Sequence, residues 1–193
     1  MSIKIGIETP LRPKMSLIVV VGFILLFSFP MLSIKGALAN TTTTDDNNIE
    51  LGNTGSGVSI TGDITKHSGH VIYGTPTDDT LIGGSHDDKI NADFGNDYVK
   101  GNGGDDIIQG GSGSDKLYGN KGNDFILGGF GDDLIVGGSG NDKLLGGADD
   151  DTLIGGSGAD FFNCGDGQDA ITDFNPSQGD TRTQDCEVIN TTS

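Results

Sequence analysis

Tryptophan is absent, aromatic residues make up only 6% of the chain, and cysteine, histidine and methionine number two, three and three. Basic side chains are also few, 11 against 28 acidic ones in 193 residues, for a formal charge of −17. A chain so acidic cannot neutralise phosphates, which excludes nucleic acid as a partner and favours cations. No His-Glu-x-x-His helix, Gly-x-Ser-x-Gly elbow or cysteine–histidine pair with a supporting motif occurs, so catalysis has no recognisable seat. Glycine is plentiful at 34 residues, yet far below the one-third that a collagen triple helix requires.

Long apolar runs are confined to the first 39 residues. Lys4, Arg12 and Lys14 precede an apolar stretch from Leu17 to Phe29, then Pro30 and Ala37-Leu38-Ala39 before Asn40. This is the order of a secretory signal, with 1–39 removed. An uncleaved membrane anchor over Met15 to Ile34 is the other reading, and it alone would bring a membrane into contact with the protein. Both readings export the remainder, which holds 7 basic and 27 acidic residues, a net of −20.

From Gly74 to Thr172 the chain divides without insertion or deletion into eleven nonapeptides. Position six is always aspartate: Asp79, Asp88, Asp97, Asp106, Asp115, Asp124, Asp133, Asp142, Asp151, Asp160 and Asp169. Position eight is always apolar, from Leu81 to Ile171, and positions one and four are glycine in nine and eight of the eleven. The first six residues read as a turn that needs positive φ and close backbone approach. The last three read as a very short strand whose middle side chain faces inward. Turn, strand, turn, strand winds into a flattened coil of eighteen residues per circuit, with circuits stacked in parallel at about 4.8 Å. The expected fold class is therefore all-β, a parallel β-roll (solenoid) of eleven GGxGxDxUx nonapeptides.

Stacking places Asp79, Asp97, Asp115, Asp133, Asp151 and Asp169 in one column and Asp88, Asp106, Asp124, Asp142 and Asp160 in another. Like charges a strand spacing apart repel by somewhat under about 1 kcal/mol per pair even in water. A cation between them removes the conflict. Calcium suits the donors, because it accepts 6 to 8 oxygens in flexible geometry and mixes carboxylates with backbone carbonyls, whereas magnesium demands a tight octahedron. The EF-hand is excluded, since its loop ends in a bidentate glutamate and Glu8, Glu50 and Glu187 all lie outside the repeats.

The nonapeptide pattern, cleanest at Gly128 to Val136, Gly137 to Leu145 and Gly155 to Asn163, resembles that of the RTX family of haemolysin-type calcium-binding repeats. The resemblance covers 99 residues and implies a roll that binds Ca2+ between turns stacked on the same side, through the eleven aspartates and loop carbonyls. Departures fall at Thr75, Thr77, His86, Ala92, Asp93 and Asp149. Family members that are enzymes or pore-forming toxins carry a separate active domain, and the 34 residues before the repeats and 21 after them are short for one. The expected function is a secreted, extracellular calcium-binding module, structural or adhesive, with a cell-surface or matrix partner and no enzymatic activity; the alternative is an enzyme or toxin acting through the roll itself. Many relatives leave the cell by a C-terminal signal, from which the N-terminal segment departs.

The expected organisation is a signal peptide at 1–39, a polar linker at 40–57, a cap at 58–73, the roll at 74–172 and a C-terminal cap at 173–193. Cys164 and Cys186 pair as a disulfide if export oxidises them; two free thiols or a metal pair are the competing reading. His67 and His70 read as ordinary surface residues rather than as ligands of a transition metal. Asn40-Thr41-Thr42 and Asn190-Thr191-Thr192 fit the N-glycosylation sequon. Ice binding is disfavoured because position seven carries no regular threonine array.

Overall fold

The computed structural model describes residues 69 and 71–191, together with strands at 33–34, 41–45, 48–51 and 59–61. All its regular elements are strands. The first are β1 (Ser33–Ile34), β2 (Thr41–Asp45), β3 (Asn48–Leu51), β4 (Ser59–Thr61), β5 (Val71–Tyr73) and β6 (Thr80–Ile82). The repeats contribute β7 (Lys89–Phe94), β8 (Tyr98–Gly103), β9 (Ile107–Ser112), β10 (Lys116–Lys121), β11 (Phe125–Phe130), β12 (Leu134–Ser139), β13 (Lys143–Ala148), β14 (Thr152–Ser157), β15 (Phe161–Asp166) and β16 (Ala170–Phe174). The tail adds β17 (Thr181–Arg182) and β18 (Val188–Thr191).

From β5 to β16, odd strands form one sheet and even strands the other, and every neighbouring pair is parallel. The register is eighteen residues, as in Lys116↔Leu134 on one side and Phe125↔Lys143 on the other. This is the parallel β-roll expected from the nine-residue phase. Its core is built from position-eight side chains of the two facing sheets, Leu81 to Ile171, all but Ile90 fully inaccessible and Ile90 at 2%, with Ile72 before them and Ala92, Cys164 and Cys186 beside them. Alternation leaves positions seven and nine on the outer faces.

Two local features differ from expectation. Strands from β7 to β15 have six residues, not three, because pairing resumes at positions two and three of the next nonapeptide after skipping its first glycine, as between Tyr118↔Val136 and Asn120↔Gly138. The glycines also divide their work. Positive φ falls at positions two and four, for example Gly138 at 123° and Gly140 at 129°, and Asp93, Asn102 and Asn120 adopt it at position two as short polar residues can. Position one is glycine for space instead. A Cβ at Gly83 would lie 2.5 Å from Asp88 Oδ2 and 2.7 Å from the Gly101 carbonyl oxygen of the next circuit.

Upstream, β5 keeps the eighteen-residue register with β7, while β4 pairs with β6 at Ser59↔Thr80. Within the stretch expected as a polar linker, β2 and β3 form an antiparallel hairpin, and β3 runs parallel to β5. Asn48-Ile49-Glu50-Leu51 alternates polar and apolar residues, which is a strand pattern. The segment 1–39 lies outside the described residues except for β1, which pairs antiparallel with β4. At the other end β17 lies beside β15 and β18 beside β16. Phe174 packs edge-on to Phe162, and a disulfide joins Cys164 to Cys186 with Cα atoms 5.2 Å apart. The thiol and metal-pair readings of these cysteines are thereby set aside: the bond fastens the tail across the end of the core.

Candidate metal centre

Each position-six aspartate sits where the turn re-enters the next strand, and all eleven are buried, at most 3% exposed. Burial follows from a repeated hydrogen bond. The backbone N–H of one aspartate donates to Oδ1 of the aspartate eighteen residues on, from Asp79 to Asp97 at 2.7 Å through Asp151 to Asp169 at 2.8 Å. The carboxylates are thus held in two columns along the roll, one on each edge.

The second carboxylate oxygen separates the residues into two groups. Asp79 Oδ2 accepts the Thr75 amide and Asp88 Oδ2 accepts the Gly84 amide, both at 2.6 Å. In Asp97, Asp106, Asp115, Asp124, Asp133, Asp142, Asp151, Asp160 and Asp169, Oδ2 is buried without any hydrogen-bond donor. A carboxylate oxygen hidden from water and left unmatched costs several kcal/mol in order of magnitude unless the charge is neutralised. Backbone carbonyls converge on the same spaces: a Cβ at Gly128 would meet both Asp133 Oδ2 and, at 2.6 Å, the Gly146 carbonyl oxygen. The donor set is therefore all oxygen, part carboxylate and part carbonyl, and fits a hard divalent ion of flexible coordination. Among the described residues no three His, Cys, Asp or Glu side chains converge on one point, so a cation here depends on main-chain oxygens.

Burial pushes these carboxyls upward in pKa, opposed by the hydrogen bond from the preceding aspartate and reinforced by neighbouring aspartates: Asp106 and Asp133 rise to about 8, Asp97, Asp142 and Asp151 to about 7. Asp115 and Asp124 rise to about 6. Without metal, the fold therefore prefers protonated carboxyls. A folded pKa above the unfolded one contributes stability that is full below the ordinary carboxylate range, near pH 4, and fades as pH rises through about 6 to 8. In chelator, β structure measured by circular dichroism is accordingly expected to increase as pH falls from 8 to 4, against the usual course of acid denaturation. A loss of structure over that range would mean that these carboxyls are not buried as described.

The tail extends both columns with residues that the nine-residue phase concealed. Asp160 N–H donates to Asp180 Oδ1 at 3.0 Å and Asp169 N–H to Glu187 Oε2 at 2.9 Å. Glu187 was legible as eighteen residues beyond Asp169, but Asp180 is displaced to twenty by the turn at Pro176 to Gly179. Asp180 Oδ2 takes the Asn175 amide at 2.7 Å, so this carboxylate is closed like those of Asp79 and Asp88. Position five carries a second ladder of opposite sense, as in Asn123 Oδ1 accepting the Asn141 amide at 2.8 Å. His86 is exposed, whereas His67, His70 and Asn40 lie outside the described residues, as does the side chain of Asn190.

A family model described as the RTX calcium-binding nonapeptide repeat (4 copies) matches residues 71–99, 100–135 and 136–171, just over half of the chain. No curated protein matches it.

Proposed function

Because the chain belongs to the RTX calcium-binding nonapeptide repeat family, whose repeats bind Ca2+, we propose that it is an exported protein whose roll is a structural or adhesive module assembled by calcium. The observation that carries this reading is the set of nine buried, unmatched Oδ2 atoms. Calcium would supply the positive charge that these oxygens lack, and the nine position-six aspartates from Asp97 to Asp169 with the turn carbonyls would hold it. The chain's own part is to fix Oδ1 through the amide of the previous circuit, to keep water out with the position-eight stack, and to clear space at position one.

Pairs in which both aspartates have an open Oδ2 are 97–115, 115–133, 133–151 and 151–169 in one column and 106–124, 124–142 and 142–160 in the other, seven in all. Asp79 and Asp88 have theirs engaged by their own turns and act as the first rungs rather than as full ligands. This reading divides the chain into a signal at 1–39, a segment at 40–57 whose β2–β3 hairpin adds to the odd-numbered sheet, caps at 58–73 and 173–193, and the calcium roll between them. Among the described residues no helix is long and apolar enough to cross a membrane.

Export predicts a mature protein that starts at Asn40. N-terminal sequencing of the extracellular protein is expected to return Asn40-Thr41-Thr42; Met1 or Ser2 on a membrane-bound product would replace secretion with anchoring.

A further inference from the structure

In a chain this acidic, the carboxylates of the roll are confined to positions two to six of its nonapeptides. On the described repeat strands, outward positions seven and nine include no Asp or Glu on either sheet, yet they hold Lys89, Lys100, Lys116 and Lys143. Four of the seven basic residues beyond residue 39 thus stand on the flat faces.

On the even-numbered sheet, β8 and β10 set two of these lysines diagonally against two tyrosines, because the register puts Lys116 beside Tyr98 and Tyr118 beside Lys100. The tyrosine ring centroids are 5.5 Å apart, and Lys100 Nζ lies 5.2 and 5.8 Å from them. Lys116 is exposed and makes no ion pair with a described residue. Half-buried Leu134 and Val136 extend the face on the next strand.

Three properties narrow what this face suits. Positive charge without a neighbouring carboxylate selects an anion. Two partly exposed rings offer a stacking platform for a flat, weakly polar face. Lys100 and Lys116 stand on adjacent strands, one circuit apart at about 4.8 Å, so two neighbouring charged units of a linear polymer with a short repeat can meet them in turn. A sugar chain bearing carboxylates combines all three, whereas a nucleic-acid duplex is broad enough to meet exposed turn carboxylates such as Asp78, Asp105 and Asp132. We propose that the outer face formed by Tyr98, Lys100, Lys116 and Tyr118 binds an anionic polysaccharide, with sugar rings against the tyrosines and carboxylates on the ammonium groups. This rests on the adhesive reading above and names the class of its partner.

The test titrates oligogalacturonate into protein already verified as folded by circular dichroism, with calorimetry for affinity. Tyrosine emission reports the location, since the chain lacks tryptophan and has three tyrosines. Saturable binding with a change in emission is expected, weakened about tenfold by Lys100→Gln with Lys116→Gln, and unaltered by Lys143→Gln on the opposite sheet. An uncharged oligoglucan is expected to bind more weakly than the acid. Absence of binding to the folded protein, equal binding by the double variant (as bridging through edge calcium would give), or binding only to vesicles of anionic phospholipid would each overturn the proposal. Failure of the calcium reading would appear separately, as a roll whose folding ignores chelator, and the same titration would still judge the face.

Discussion

In excess chelator at neutral pH, the chain is expected to lose most of its β structure and to regain it cooperatively as free calcium is restored. The reason lies in how little else holds the roll together. The core is thin, one position-eight side chain per strand from Ile72 to Ile171 with only Ala92, Cys164 and Cys186 added among the described residues, while two columns of carboxylates run beside it. Nine of those carboxylates carry a buried oxygen that no protein donor reaches. At neutral pH they must either hold protons at a cost or ionise against their neighbours, and the unfolded chain avoids both. Metal binding therefore appears as folding free energy. Cooperativity follows because each circuit contacts only the circuits before and after it, so a filled turn templates the next. Circular dichroism against free calcium checks this directly. An unchanged β spectrum in chelator would show that the sheets and the Cys164–Cys186 bond suffice alone.

The second large effect concerns which aspartates matter. Calorimetric titration is expected to give about seven calcium ions per chain, the number of stacked pairs with both oxygens open. Asp124→Ala removes a carboxylate shared by the pairs 106–124 and 124–142 and strands the Asp106 amide that it accepts at 2.8 Å. Stoichiometry should fall by two and the calcium midpoint should rise about tenfold, since an unmade buried hydrogen bond alone costs roughly 1 to 3 kcal/mol. Asp133→Ala is expected to behave alike in the other column, where it accepts the Asp115 amide. Asp79→Ala should change the midpoint by less than about threefold, because its carboxylate is taken by the Thr75 amide and hydroxyl. Equal effects from the three substitutions, or a stoichiometry near eleven, would contradict the division between open and closed carboxylates.

Much of this molecule was legible without coordinates. An unbroken nine-residue phase, aspartate at every sixth position and an apolar residue at every eighth together dictate a coil with eighteen residues per circuit. Register then follows by arithmetic: only multiples of nine keep aspartate over aspartate and apolar over apolar, and two turn–strand units per circuit select eighteen. Oxygen-only donors in a glycine-rich turn likewise point to calcium from composition alone. All of these are properties of a one-dimensional pattern, and a solenoid is nearly one-dimensional.

What tertiary structure decided is whatever depends on neighbours across circuits. Position one and position four are both glycine, but only the stacked backbone reveals that the first answers to the carbonyl of the next circuit and the fourth to its own φ. The eleven aspartates are identical in sequence. Yet Asp79 and Asp88 close on their own turns, while nine others keep an oxygen open. Asp180 joins its column only because the turn at Pro176 to Gly179 absorbs two extra residues before the chain returns to register. Lys100 and Lys116 look scattered in sequence and become one patch beside tyrosine when β8 and β10 align. Sequence specifies which groups recur and in what phase; whether a given oxygen finds a donor is settled eighteen or twenty residues away, by the geometry of the adjoining circuit.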